Sequence, residues 1–286
     1  MSVSPRLIRS RIKSVSNTKK ITKAMELVSA AKMRRAVMLA TAARRYAGLG
    51  AELLKNLSAL GAAAEHPYFR RAKELKKVLC IVIGSDRGLC GAYNSSLIRL
   101  LDIKMAAYPQ VEYLVAGRHA ELALRRAGRT IIASFPGLTN APRAAAVRPI
   151  VSLAENEFSG GAYDAVFIVS TDYVSALRQI PAVKELLPLR PAGAAAGKFS
   201  TDTLFEPDPS TVLEYTLPRF LEATVYQAVL EAAASEHSAR MMSMRSATDA
   251  AGDMISDLTF TLNQARQSAI TSEIAEISAG RAALEG

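Results

Sequence analysis

The residues best equipped for chemistry cluster in Gly84-Ser-Asp-Arg-Gly-Leu-Cys-Gly-Ala-Tyr-Asn94, a glycine-rich stretch between an apolar run and a helix-like one. A loop of this kind can cradle phosphate on its backbone N–H groups. The spacing is neither G-x-x-x-x-G-K-[ST] nor G-x-G-x-x-G, so a tight loop needing glycine at positive φ is the stronger reading. His66, His119 and His237 lie far apart without metal-ligand spacing and read as surface or seam residues. There is no G-x-S-x-G element and no recognisable Cys/His arrangement. Cys80 and Cys90, the only cysteines, are too few for a disulfide framework and read as a strand and a loop position. No catalytic, cofactor-binding or metal site is therefore expected.

The elements that would position these residues fall into three parts: 1–60, 61–209 and 210–286. In the middle part, 77–83 is a continuous apolar strand, as expected when both faces are buried. Residues 111–116, 130–134 and 165–170 read as further strands, with helices over 95–107, 118–127 and 144–158. Such alternation implies a mainly parallel, Rossmann-like α/β domain. Both ends read as long helices. From Pro5 to Leu60 there is no further proline, and a stripe at alternating spacings of three and four runs through Ile8, Val15, Thr22, Met25, Ser29, Ala36, Leu39, Leu53 and Leu60. A helix of that length would be roughly 80 Å long. Its middle, 18–32, is polar or small. After Pro207 and Pro209 a second long helix carries Leu230, Ala234, His237, Met241, Met244, Thr248, Ala251 and Ile255 at the same spacing. Two such seams predict an antiparallel coiled pair, tightest along 39–60 and 213–230, where large apolar residues concentrate.

Charge supports that pairing. The chain has a net charge of +10, with 13 Lys and Arg against Glu26 and Glu52 in residues 1–60, and five Arg against ten acidic residues in 210–286. Opposite ends of opposite sign attract each other, or face different partners. Nucleic-acid binding is disfavoured, because the cations of the first helix are spread around it and no aromatic residue precedes Tyr46. No apolar run reaches the roughly 18–20 residues that span a bilayer, and the basic N-terminus lacks the apolar segment of a secretory signal; the residues alone read as a cytosolic protein. They leave open a mechanical coupling subunit, an α/β nucleotide-binding enzyme with helical arms, and a basic nucleic-acid-binding scaffold.

Three segments carry a resemblance: Ile8-Arg-Ser-Arg-Ile-Lys-Ser-Val-Ser-Asn-Thr-Lys-Lys-Ile-Thr-Lys-Ala-Met25, Ser85-Asp-Arg-Gly-Leu-Cys-Gly-Ala-Tyr-Asn94, and Ser235-Glu-His-Ser-Ala-Arg-Met-Met-Ser-Met-Arg-Ser-Ala-Thr248 followed by Asn263-Gln-Ala-Arg-Gln-Ser-Ala-Ile-Thr271. In this order they resemble the gamma subunit of bacterial F-type ATP synthases. Ala250 and Leu262 depart from the pattern, standing where that family usually has Asn and Tyr. The resemblance implies a non-catalytic rotor shaft without cofactors, its two end helices coiled inside a ring of alpha and beta subunits. The α/β domain would sit on the membrane c-subunit ring beside the epsilon subunit, making the protein peripheral on the cytoplasmic face of the bacterial cell membrane, with no nucleic-acid partner. By motif match, Met25, Arg266, Gln267 and Thr271 resemble positions that contact the beta subunits.

Overall fold

The computed structural model describes residues 4–59, 66–190, 206 and 208–285. The chain forms two compact units, one of residues 29–240 and one combining residues 4–28 with 241–285.

The larger unit is built on a five-stranded sheet: β1 (Lys77–Ile83), β2 (Gln110–Ala116), β3 (Ile131–Phe135), β4 (Ala165–Tyr173) and β5 (Gln179–Leu187), in the order β3-β2-β1-β4-β5. The first four are parallel and β5 is antiparallel to β4. The sheet is thus the Rossmann-like, mainly parallel one expected, with one strand unforeseen. β5 contains Pro181 and lacks a clear apolar alternation, so its sequence does not read as a strand. An edge position tolerates that proline, which need not donate to a second neighbour.

Parallel strands need crossovers, and these supply the covering helices. α2 (Tyr93–Met105), α3 (Arg118–Arg126) and α4 (Ala144–Ser159) join successive strands. The two-residue period of β1 divides the core. Val78, Cys80 and Val82 pack with Leu97 and Leu101 of α2 and Leu124 of α3. Leu79, Ile81 and Ile83 face the other way, onto Ile150 and Phe158 of α4 and onto α5 (Pro209–Glu285). Each fully buried Val, Leu or Ile contributes about 1.5–3 kcal/mol, so this two-sided burial is the main source of the unit's stability.

α5 starts where its capping residues dictate. The Asp208 carboxylate accepts from the backbone N–H groups of Ser210 and Thr211 at 3.0 and 2.9 Å, filling the open end of the helix, while Pro209 occupies a first-turn position that needs no donor. Hydrogen bonds from Ser210, then Thr211, hold the Asp208 pKa down to about 2. The helix then lays Leu213, Leu217, Leu221 and Val225 into the core at four-residue spacing.

Within the same unit, α1 (Pro5–Ala59) runs antiparallel to α5. Ala36 packs with Ala233 and Ala234, Arg44 bonds Glu231 at 2.8 Å, and Gly50 lies against the Phe220 ring. Positions rise on one helix as they fall on the other. The side chain of Leu53 and the whole of Leu60 lie outside the described residues. Where the seam is described, small residues meet at Ala36 with Ala233 and Ala234, while Tyr46 and Leu49, though largely exposed, line a groove with Thr216, Phe220 and Ala223 of α5. The described pairing therefore combines small residues at Ala36 with larger ones around Phe220.

The smaller unit repeats the antiparallel arrangement with a polar seam. Thr248 donates its hydroxyl to Thr22 Oγ1 at 2.8 Å, and Thr22 passes its own to the Lys19 carbonyl at 3.0 Å. Both threonines are buried, so the polar stretch of the first helix is satisfied internally at this point rather than left wet.

Candidate functional site

The glycine loop does not take the form of a phosphate cradle. Its carbonyls, not its amides, are turned to a ligand, and that ligand is a side chain of the protein. Arg240 on α5 donates from Nη2 to the Arg87 carbonyl at 2.8 Å and from Nε to the Gly88 carbonyl at 3.1 Å. The loop's own polar groups are bonded among themselves: Asn94 Oδ1 accepts from Ser85 N, and Asn94 Nδ2 donates to Ser85 Oγ at 2.7 Å. Positive φ falls on Leu89 and Gly91. Gly84 is required for a different reason, since a Cβ there would lie 2.6 Å from that of Ala120.

Arg240 also bonds Glu236 Oε1 at 2.7 Å, one turn back on α5, and its Nη1 lies 3.2 Å from His237 Nδ1. All three side chains are buried. An arginine can only donate, so His237 Nδ1 accepts and the neutral ring carries its proton on Nε2. Burial raises the Glu236 carboxyl pKa despite the opposing pull of Arg240. Desolvation outweighs one ion pair here, as expected when only one carboxylate oxygen finds a partner. Sequence reading missed this network. The available signal was a Glu and an Arg four apart, flanking the small-residue stripe of a helix that packs on the loop.

Burial first, then the charges of Arg240 and Lys32, push the His237 pKa down to about 4. The unfolded chain, with His near 6.5, then binds the proton before the folded one does. Stability should fall as pH drops from about 6.5 to about 4, by at most roughly 3 kcal/mol, and show no further change from this residue below that. The raised Glu236 works in the opposite sense. The clean readout is therefore the difference between wild type and His237→Asn in urea unfolding at pH 7.5 and 4.5. The variant should show the shallower pH dependence. Equal dependence would mean that the ring is hydrated in solution.

The four positions singled out by motif all lie in the smaller unit. Arg266, Gln267 and Thr271 are exposed on α5 and Met25 is partly buried on α1. Gln267 and Thr271 share one face, the Thr271 hydroxyl donating to the Gln267 carbonyl at 2.9 Å. Met25 is not brought to them. It lies one turn from Thr22, which pairs with Thr248, whereas Arg266 is 18 residues beyond Thr248, roughly 27 Å along the helix. The departures are peripheral: Ala250 is exposed and Leu262 only partly buried. Among the described residues no helix is long and apolar enough to cross a membrane.

A family model described as ATP synthase matches residues 4–284. The ATP synthase gamma chain of Herpetosiphon aurantiacus is 42% identical over 292 aligned positions, covering 98% of this chain and 99% of its own. That of Pelotomaculum thermopropionicum is 40% identical, covering 97% and 98%. Among solved structures, a chain of the rotor of the Euglena gracilis mitochondrial ATP synthase superposes with a TM-score of 0.65 at 19% identity, over 93% of this chain and 98% of that one. A chain of the Tetrahymena thermophila central stalk and c-ring gives 0.61 at 22% identity, over 79% and 99%. At those identities the structural likeness is one of fold. With relatives matched over nearly the whole of both chains and the family model spanning almost every residue, this chain belongs to the ATP synthase gamma chain family.

Proposed function

We propose that the chain turns as the central rotor shaft of a bacterial F-type ATP synthase, and that Met25, Arg266, Gln267 and Thr271 are its points of contact with the catalytic beta subunits. As a gamma chain it is a non-catalytic subunit of the complex. The full-length family match is the observation that carries the shaft role. Its partners on this reading are the alpha and beta subunits, the epsilon subunit and the c-subunit ring, at the cytoplasmic face of the cell membrane. Proton flow turns the ring and the shaft together. The shaft then acts as a ligand whose contact energy differs among the three beta conformations, so its angle shifts their populations.

The exposure of Arg266, Gln267 and Thr271 on α5 supports their role, because a torque-bearing contact must be free to meet a partner. Arg266 offers five donors in a planar fork suited to a carboxylate. Replacing Arg266 and Gln267 together with alanine should lower ATP turnover of the assembled complex several-fold, yet leave the helix content of the isolated chain unchanged. Met25→Lys should impair coupling, since an added cation would hold one beta conformation too tightly. The measurement is ATP-driven proton pumping beside ATP hydrolysis in reconstituted vesicles. Wild-type values for all three substitutions would place torque transmission elsewhere on the shaft. A pull-down from native membranes that brought down neither alpha nor beta subunits would sink the shaft reading itself.

A further inference from the structure

We propose that the larger unit carries a binding site for a compact multivalent phosphate anion of the pyrophosphate class, in the cleft between α1, the 139–143 segment and α5. The cavity has a volume of about 310 Å³. Its polar lining is Lys32, Arg35, Arg143, Thr139, Asn140 and His237, and among the described residues no carboxylate lines it.

The chemistry of that lining is one-sided. Three cations line one partly open cleft, Lys32 half-buried and Arg35 and Arg143 exposed at its rim. Among the described residues, Arg35 and Arg143 have no carboxylate partner, and Lys32 spends one donor on a neutral acceptor, Asn140 Oδ1, at 2.7 Å. This bond holds the ammonium in place and leaves the Asn140 amide as a donor. The acids behind the cleft are partly engaged, with Glu236 Oε2 left unpaired and Asp86 Oδ2 accepting from the Thr139 hydroxyl at 3.4 Å. Glu236 is held by Arg240, and Asp86 accepts from Arg118 N at 3.2 Å and Gly137 N at 2.9 Å. His237 Nδ1 is taken by Arg240, so the one donor left on the neutral ring is Nε2–H. The cleft therefore presents donors and positive charge, which an anion with several acceptor oxygens would satisfy.

The walls favour a small, highly charged ligand. Ala36, Leu39 and Pro142 make the apolar side of the cavity, where lower dielectric strengthens charge–charge attraction. There is no Phe, Tyr or Trp in the lining to stack a base, so any nucleotide would be held by its phosphates alone. A pyrophosphate offers more acceptor oxygens and more charge to three cations than the two oxygens of a single carboxylate side chain.

The test is calorimetric titration of the full-length chain with pyrophosphate at low and moderate salt. The expected result is one saturable site whose affinity falls with salt. Lys32→Gln with Arg143→Gln should weaken it at least tenfold, the equivalent of about one charge-assisted contact. Arg99→Gln with Arg126→Gln removes the same charge from another cleft, lined by α2 and α3 residues, and should leave the affinity within about twofold. ADP matching pyrophosphate would identify the diphosphate group as the ligand, and orthophosphate binding more weakly would support the multivalent class. Equal loss in both double variants, or no saturable binding at millimolar pyrophosphate, would overturn the assignment in favour of diffuse attraction to a basic chain. A poly-glutamate peptide that displaced pyrophosphate at lower concentration would overturn it in favour of an acidic protein partner.

Discussion

Arg240→Ala should lower the unfolding free energy by roughly 3–5 kcal/mol. The arginine side chain is 7% exposed and that of its partner Glu236 3%. Truncation removes four contacts of one guanidinium: those to Glu236 Oε1, the Arg87 and Gly88 carbonyls, and His237 Nδ1. It leaves Glu236 buried with no partner on either oxygen, since Oε2 has none even now. An exposed arginine without a partner would cost a few tenths of a kcal/mol on the same truncation; the difference is the uncompensated buried carboxylate. Arg240→Lys keeps the charge but replaces a planar fork by a point donor, and should lose about half as much. Replacing both partners, Arg240→Met with Glu236→Leu, should recover most of the loss, because the desolvation penalty disappears with the charges. Chemical unfolding at pH 7.5 measures all three. A loss under about 1 kcal/mol for Arg240→Ala would mean that the pair is solvated and the loop is not latched to α5.

Gly117→Ala should cost a comparable amount, about 3–5 kcal/mol. Gly117 sits at φ +104 and ψ 128 between β2 and α3, a conformation that side-chain-bearing residues rarely adopt. A Cβ there would lie 2.4 Å from the Gly84 carbonyl oxygen and 2.7 Å from its carbon. Those atoms are backbone and cannot swing aside. Nor can the loop retreat freely, because Gly84 N donates to the Ala116 carbonyl at 2.8 Å and His119 N to that of Ser85 at 2.9 Å. Gly128 provides the control. It also has positive φ, +67, but open space where a Cβ would go, so Gly128→Ala should cost only about 1–2 kcal/mol of backbone strain. The excess at Gly117 measures the close approach of two chain segments apart from the dihedral. Equal losses at both positions would show that the β1–α2 loop shifts to make room.

The two substitutions act on the same loop at different points, Arg240 at Arg87 and Gly88 and Gly117 at Gly84, and this explains how far its glycines could be understood from sequence. Their spacing was enough to set aside the nucleotide-binding patterns. It did not show that Gly84 is needed for contact with Ala120 rather than for its own dihedral, or that Arg87 and Gly88 turn carbonyls towards Arg240, 153 and 152 residues later. Those are facts about which segments meet. Local spacing carries no record of them, because each is decided by the packing of α3 and α5 on the sheet.

Much of the fold was legible because its signals are local and periodic. The apolar run 78–83 reads as a strand covered on both faces because it is short and rich in Val and Ile. The three-and-four spacing of small residues from Leu230 to Ala251 could only be a helix seam, and the segments 8–25 and 235–248 are long enough to indicate the family by themselves. The tertiary structure alone decided the rest. β5 is a strand because β4 offers it an edge, which overrides a proline and weak alternation. Thr22 and Thr248 sit in a seam without cost because each is the other's partner, which neither helix reveals alone. His237 reads as a seam residue from its spacing, but its network with Glu236 and Arg240 exists only once burial removes their water. Hydrophobic periodicity is written into neighbouring residues, whereas the energy of a buried charge or a close backbone contact depends on distant residues that folding brings together.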